Sequence, residues 1–131
     1  MKSLVVEDDP ICSRILKSIL SCFGTCSTAW NGAEAVSAYK KSLQDNDPFE
    51  LICMDIMMPT MDGHQALHVI RNIEREQNIP QEDAAKVIIA TCRDDEEDKQ
   101  QAYHAGCNAY MVKPIQRNSL HQQIKNLGLT S

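Results

Sequence analysis

The sequence predicts an α/β fold, a parallel sheet covered by helices on both faces. Short apolar runs alternate with amphipathic stretches five times along the chain. The central run, Leu51-Ile52-Cys53-Met54, is apolar without interruption, as a strand buried on both sides should be. No internal repeat, linker or low-complexity tail divides the 131 residues, so 1–131 reads as one domain.

The first apolar run, Leu4-Val5-Val6, ends in the acids Glu7-Asp8-Asp9. A helical pattern follows, with Ile11, Ile15, Ile19 and Leu20 assigned to one face. Pro10 suits its first turn, where a missing N–H leaves nothing unsatisfied, and Gly24 stops it. Thr25 to Ala29 is a weak second strand. Asn31-Gly32 turns into a helix carrying Ala35, Val36 and Tyr39, which fades into the polar loop Gln44 to Pro48.

Beyond Asp55 and the loop Ile56 to Met61, Asp62-Gly63 opens a helix with Ala66, Leu67, Ile70 and Ile73 on its buried side. The long polar segment Glu74 to Ala85 reads as a connector, or a surface specific to one partner, leading to Val87 to Thr91. Asp94 to Asp98 start a fourth helix whose notable apolar members are Ala102, Tyr103 and Ala105. Gly106 caps it. Ala109 to Val112 is a fifth strand, Lys113-Pro114 a turn, and Leu120, Ile124 and Leu127 mark a last helix.

Charge narrows the function. Thirteen Lys and Arg stand against 18 Asp and Glu, for a formal net charge of −5. An acidic chain without a basic stripe is a poor nucleic-acid binder, because phosphate neutralisation needs clustered Lys and Arg. No stretch approaches the roughly 20 apolar residues of a membrane span, and nothing near Met1 resembles a signal peptide. A cytoplasmic location is expected. Six cysteines contain no C-x-x-C pair, and in a reducing compartment they read as buried free thiols.

In open parallel α/β sheets, ligands bind beyond the carboxyl ends of the strands. Here those ends carry Glu7-Asp8, Asp55, Thr91 and Lys113. Three carboxylates on one rim repel one another unless a cation joins them. An all-oxygen donor set with room for water suits Mg²⁺ better than Zn²⁺. Each residue alone has a structural explanation as a helix-start acid, turn acid or surface lysine. Their joint placement at successive strand ends does not.

The ordered set Leu4-Val5-Val6-Glu7-Asp8-Asp9-Pro10, Met54-Asp55-Ile56-Met57-Met58-Pro59-Thr60-Met61-Asp62-Gly63, Thr91 and Tyr110-Met111-Val112-Lys113-Pro114 resembles the receiver domain of two-component response regulators. The resemblance, closest in kind to stand-alone chemotaxis regulators, covers essentially the full length. It implies a flavodoxin-like, doubly wound five-stranded sheet of order 2-1-3-4-5 with five helices. It also implies that Asp55 accepts the phosphoryl group and that Mg²⁺ is held by Glu7, Asp8, Asp55 and the Met57 backbone carbonyl. Asp9, one position beyond, is left as a helix-start acid. Lys113 would offset phosphoryl charge, Thr91 and Tyr110 would form the switch, and Lys113-Pro114 would be a cis peptide. By the same resemblance, Met57 and Arg93 border the approach of the hydrolytic water, and Cys92 narrows it.

The partners so implied are a sensor histidine kinase or a histidine phosphotransfer protein, together with a downstream protein that the sequence does not identify. A phosphorylation-dependent dimer is also allowed. The chain would then be a phospho-accepting signalling domain that assists its own phosphorylation and dephosphorylation, not an enzyme acting on a separate substrate. Because the sequence stops shortly after the last helix, the signal is expected to pass to another protein. Three rivals stand beside this reading. A degenerate receiver would serve only for phosphorylation-independent docking, but the full acidic and basic set argues against that. A Mg²⁺-dependent aspartyl-phosphate phosphatase would need a second Asp at position 57, which is Met. A flavodoxin would need a Ser/Thr-rich phosphate loop. His64 and His68, four apart without the Glu of a zinc motif, read as surface histidines.

Overall fold

A computed structural model describes residues 1–129 and shows the expected alternation of strand and helix. The elements are β1 (Ser3–Val6), α1 (Pro10–Leu20), β2 (Cys26–Ala29), α2 (Gly32–Gln44), β3 (Leu51–Met54), α3 (Gly63–Glu76), β4 (Lys86–Thr91), α4 (Glu96–Ala105), β5 (Ala109–Val112) and α5 (Arg117–Asn126). All neighbouring strands are parallel. Their order, β2-β1-β3-β4-β5, is the flavodoxin-like one. The last two positions of the 1–131 reading lie outside the described residues.

The twofold alternation of side chains along each strand splits the core into two layers. Leu4, Val6, Ile52, Met54, Val87 and Ile89 meet α2, α3 and α4. Val5, Leu51, Cys53, Ile88 and Ala90 meet α1 and α5. The starts of α1, α2, α3 and α4 are fixed by capping side chains. The Asp9 carboxylate accepts the Ile11 N–H at 2.9 Å, with Pro10 in the first turn. Asn31 accepts from Glu34, and Asp62 and Gln65 form a reciprocal capping box.

At the amino end of the sheet, a buried polar network ties the helices to the strands. Glu74 Oε2 accepts the Tyr39 hydroxyl at 2.6 Å and the Ala85 N–H at 2.9 Å. Arg71 bonds Glu74 Oε1 at 2.7 Å and the Ala85 carbonyl at 2.8 Å. Arg71 also holds the Gly106 carbonyl through Nε and Nη2, at 3.0 and 2.9 Å. Gly106 ends α4 at φ 109°, a left-handed value that favours glycine. Glu74 is therefore a buried member of α3, not part of a polar connector.

Two other expectations fail. Ile11 and Ile15 are 70% and 48% exposed, while Ser13, Leu16, Ile19 and Leu20 face the core. Each four-residue step advances a helical row by roughly 40°. Ile11 and Ile15 therefore drift off the arc centred on Leu16. The cysteines also divide. Cys53 and Cys107 are buried, but Cys22 and Cys92 are exposed. Burial pushes the Cys53 thiol up to about 12, so it is inert.

These placements set a stability contrast. Leu16→Ala should lose about 2–5 kcal/mol in urea unfolding, whereas Ile11→Ala should change stability by less than about 0.5 kcal/mol. Comparable losses at both positions would mean that Ile11 is packed.

Candidate active site

The three central strands end at one rim, and their registers bring the acidic groups together. Val6 pairs with Met54, which places Glu7 and Asp55 side by side. The Asp55 N–H donates to the Val6 carbonyl at 3.0 Å, which locks that alignment. Glu7 and Asp55 are buried, and Asp8 is exposed. Each of the three places a carboxylate oxygen within 4.8 Å of the others.

Lys113 reaches this cluster from the end of β5. Its Nζ lies 2.6 Å from Glu7 Oε2 and 3.0 Å from Asp55 Oδ2. Burial alone would lower the ammonium, but its hydrogen bonds and the two negative charges outweigh burial and raise it above its ordinary 10.5. Burial raises Glu7 from its ordinary 4.5, and the Lys113 bond offsets only part of that rise. Glu7 Oε1 also accepts the Asp9 N–H at 3.2 Å.

The other Asp55 oxygen, Oδ1, accepts the Met57 N–H at 3.1 Å. Among the described residues, the Met57 carbonyl accepts no backbone hydrogen bond. The loop beyond Asp55 closes tightly on the start of α3. A Cβ on Gly63 would fall 2.3 Å from the Asp55 carbonyl oxygen, so only glycine allows that approach. Thr60, at φ 71°, supplies the left-handed bend in the loop.

Thr91 is fully buried at the end of β4, and its Oγ1 accepts the Arg93 N–H at 3.4 Å. The Tyr110 hydroxyl donates to the Arg93 carbonyl at 2.9 Å. Burial, then the charges of Asp98 and Asp95, push that hydroxyl up to about 12. The Tyr110 ring packs against the layer containing α3 and α4. The Lys113–Pro114 peptide is cis.

The structure thus gathers Glu7, Asp8, Asp55 and Lys113 at one point, and seats Met57, Thr91 and Tyr110 around it. It also shows one residue that sequence reasoning misplaced, His64, and one that it did not single out, Asp98. His64 and Asp98 are both buried, and they line one cleft with Asp8, Met57 and Arg93. Their helical spacing carried the signal. His64 lies three residues before Leu67, and Asp98 four before Ala102, each on its helix's buried face.

Comparison with known proteins assigns the fold to a family. The profile of the response regulator receiver domain matches residues 3–125. The chain belongs to that family. Chemotaxis protein CheY of Halobacterium salinarum is 35% identical over 125 residues, covering 95% of this chain and 93% of CheY. A Borrelia burgdorferi CheX–CheY–BeF3–Mg complex aligns with TM-score 0.83 and 25% identity, over 99% of this chain and 90% of that one. The complex of Saccharomyces cerevisiae Ypd1, a histidine phosphotransfer protein, with the Ssk1 receiver domain gives TM-score 0.83 and 29% identity, covering 98% and 89%. Other relatives are much longer. The chain spans 7% of hybrid signal transduction histidine kinase L of Dictyostelium discoideum and 54% of the probable transcriptional regulator ycf29 of Porphyra purpurea. No described helix is long and apolar enough to cross a membrane.

Removing the lysine should expose the electrostatics of the rim. Lys113→Met leaves Glu7 and Asp55 buried without their counter-charge, a loss of about 3–5 kcal/mol at neutral pH. Glu7, already raised above 4.5, should rise further. A raised carboxyl keeps its stability at low pH and loses it as pH rises, so the deficit should shrink as pH falls toward 4.5. Urea unfolding from pH 5 to 8 measures this. A deficit independent of pH would point to lost packing instead.

Proposed function

We propose that residues 1–131 form one receiver domain that takes a phosphoryl group on Asp55 from a histidine kinase or histidine phosphotransfer protein. The observation that carries this reading is the Asp55 carboxylate itself. It is buried, held by the Met57 N–H and Lys113 Nζ, and set beside Glu7 and Asp8 at the carboxyl end of β3. The donor assignment draws on Ssk1, which pairs with a phosphotransfer protein.

The chemistry needs no base, because a carboxylate has no proton to lose before it attacks. An Asp55 oxygen attacks the phosphorus of a phosphohistidine in line. The P–N bond breaks, and the imidazole leaves with the electron pair and gains a proton. Lys113 offsets charge on the transferred oxygens. Glu7, Asp8, Asp55 and the Met57 carbonyl fit Mg²⁺, since they offer only oxygen donors and leave Asp8 open to solvent. When bound, Mg²⁺ supplies the positive charge that lets phosphoryl and carboxylate oxygens approach. A magnesium ion is coordinated in the cleft of the receiver of Pseudomonas aeruginosa PA1611, 25% identical to this chain, with TM-score 0.76.

The readout follows from the clasp on Arg93. Thr91 Oγ1 gives up the Arg93 N–H when it turns to donate to the phosphoryl group. The loop carrying Arg93 then moves, and Tyr110, bonded to the Arg93 carbonyl, follows it. The outcome is a population shift across α4, β5 and α5, where a downstream protein would bind.

Acetyl phosphate with Mg²⁺ should add one phosphoryl group to the wild type, seen by intact mass, and none to Asp55→Asn. Full labelling of the variant would move the acceptor elsewhere. Mg²⁺ should also raise the melting temperature, by about 2.7 kcal/mol of linkage at a hundredfold excess over Kd. Asp8→Asn should blunt that response far more than Asp9→Asn, because Asn still caps α1. Equal blunting would show that the acidic run has been read one residue out of place.

A further inference from the structure

Beside the phospho-acceptor lies a cleft of about 560 Å³ whose lining includes Asp8, Met57, His64, Arg93, Asp98 and Gln101. Its polar groups are poorly matched. Asp98 is 8% exposed, yet its partners are distant, with Arg93 Nη1 donating to Oδ2 across a long 3.4 Å and His64 Nε2 lying 3.8 Å from Oδ1. His64 is also 8% exposed, and among the described residues neither ring nitrogen has a hydrogen-bond partner. A buried carboxylate and a buried imidazole thus face each other just beyond bonding distance.

Arg93 is the adaptable member. Its backbone is clasped by Thr91 and Tyr110, but its side chain is 48% exposed and borders the cleft shared with Asp8 and Met57. A guanidinium stays charged at any working pH, and it prefers a phosphoryl group, with more charge and more acceptor oxygens, to one loosely held carboxylate. If Arg93 leaves, Asp98 is buried without a cation. The His64 Nε2–H can then serve it once the helices close by under about 1 Å.

The mechanics favour movement of α4. His64 sits in the first turn of α3, whose buried residues include Ala66, Leu67, Ile70 and Ile73. In contrast, α4 buries only Asp98, Ala102 and Ala105. Its carboxyl end is pinned where Arg71 holds the Gly106 carbonyl. The free end is the one that carries Asp98.

We propose that Arg93 exchanges between Asp98 and the phosphoryl group on Asp55, and that His64 is the waiting partner of Asp98. Phosphorylation would thereby draw the first turn of α4 toward α3, pivoting about Gly106. Arg93 and His64 are positioning residues in this scheme, which rests on Asp55 being the acceptor.

The test is a double-mutant cycle on acylphosphate lifetime. In hydrolysis, water attacks phosphorus and the bond to Asp55 breaks. The carboxylate leaves with the electron pair, and the protons of water pass to phosphate and solvent. Arg93 on the phosphoryl oxygens stabilises the ground state, so Asp98→Asn should lengthen the lifetime severalfold by removing its rival. Arg93→Gln should shorten it, and Asp98→Asn should have no further effect in that background. An equal effect of Asp98→Asn in both backgrounds, or a shortened lifetime, overturns the exchange. For the second half, beryllofluoride with Mg²⁺ should slow amide exchange over residues 96–101 of the wild type and not of His64→Phe. Equal slowing in both removes His64 from the scheme. An unlabelled wild type would sink the acceptor reading itself, whereas normal labelling without coupling sinks only the exchange.

Discussion

The rim of this sheet depends on one ammonium group. Parallel strands that end at the same level bring Glu7 and Asp55 together, and Asp8 follows Glu7. Burying two carboxylates side by side is unfavourable without a positive charge between them. Lys113 provides it from β5, two strands away from β3. The same lysine holds the Asp55 carboxylate, the proposed nucleophile, in place through a 3.0 Å contact. The arrangement also fixes what may bind. On the proposed reading, an incoming group presents negative charge to Lys113 and leaves the acidic oxygens to a cation.

The opposite end of the sheet is built on another rule. There Glu74 accepts from Tyr39, Ala85 and Arg71, and Arg71 satisfies Gly106 and Asn108 as well. Burial and the Glu74 bond push the Tyr39 hydroxyl far above its ordinary value, so it stays a donor at any working pH. A buried network with every member bonded rigidifies the elements it joins. It clamps α2, α3 and the carboxyl end of α4 into one base against which the rim can move.

Much of this was legible in the sequence, for identifiable reasons. Strand ends are marked by the switch from apolar to acidic text, so Glu7, Asp8 and Asp55 could be placed without coordinates. The pairing of Lys113 with Glu7 spans 106 positions, and no local pattern encodes it. The α1 face was misjudged because Ile11 and Ile15 look like a core row until the helical drift is followed. Glu74, His64 and Asp98 were passed over for a different reason. Their side chains are polar, and pattern reading assigns polar residues to solvent. Only their spacing from Ile70, Leu67 and Ala102 marks them as inward.

Those three buried polar residues differ in a way that matters for signalling. Glu74 has three donors within 2.9 Å, whereas Asp98 has contacts at 3.4 and 3.8 Å and the His64 ring has no hydrogen-bond partner among the described residues. A satisfied group resists displacement, because moving it exposes an unpaired charge. An under-satisfied group is already near that penalty, so a small shift that completes its bonding is favourable. Stability is therefore distributed unevenly along α4, firm at Gly106 and weak at Asp98. On the proposed scheme, a charge placed on Asp55 need supply only the difference between two arrangements of Asp98, which a few hydrogen bonds can do.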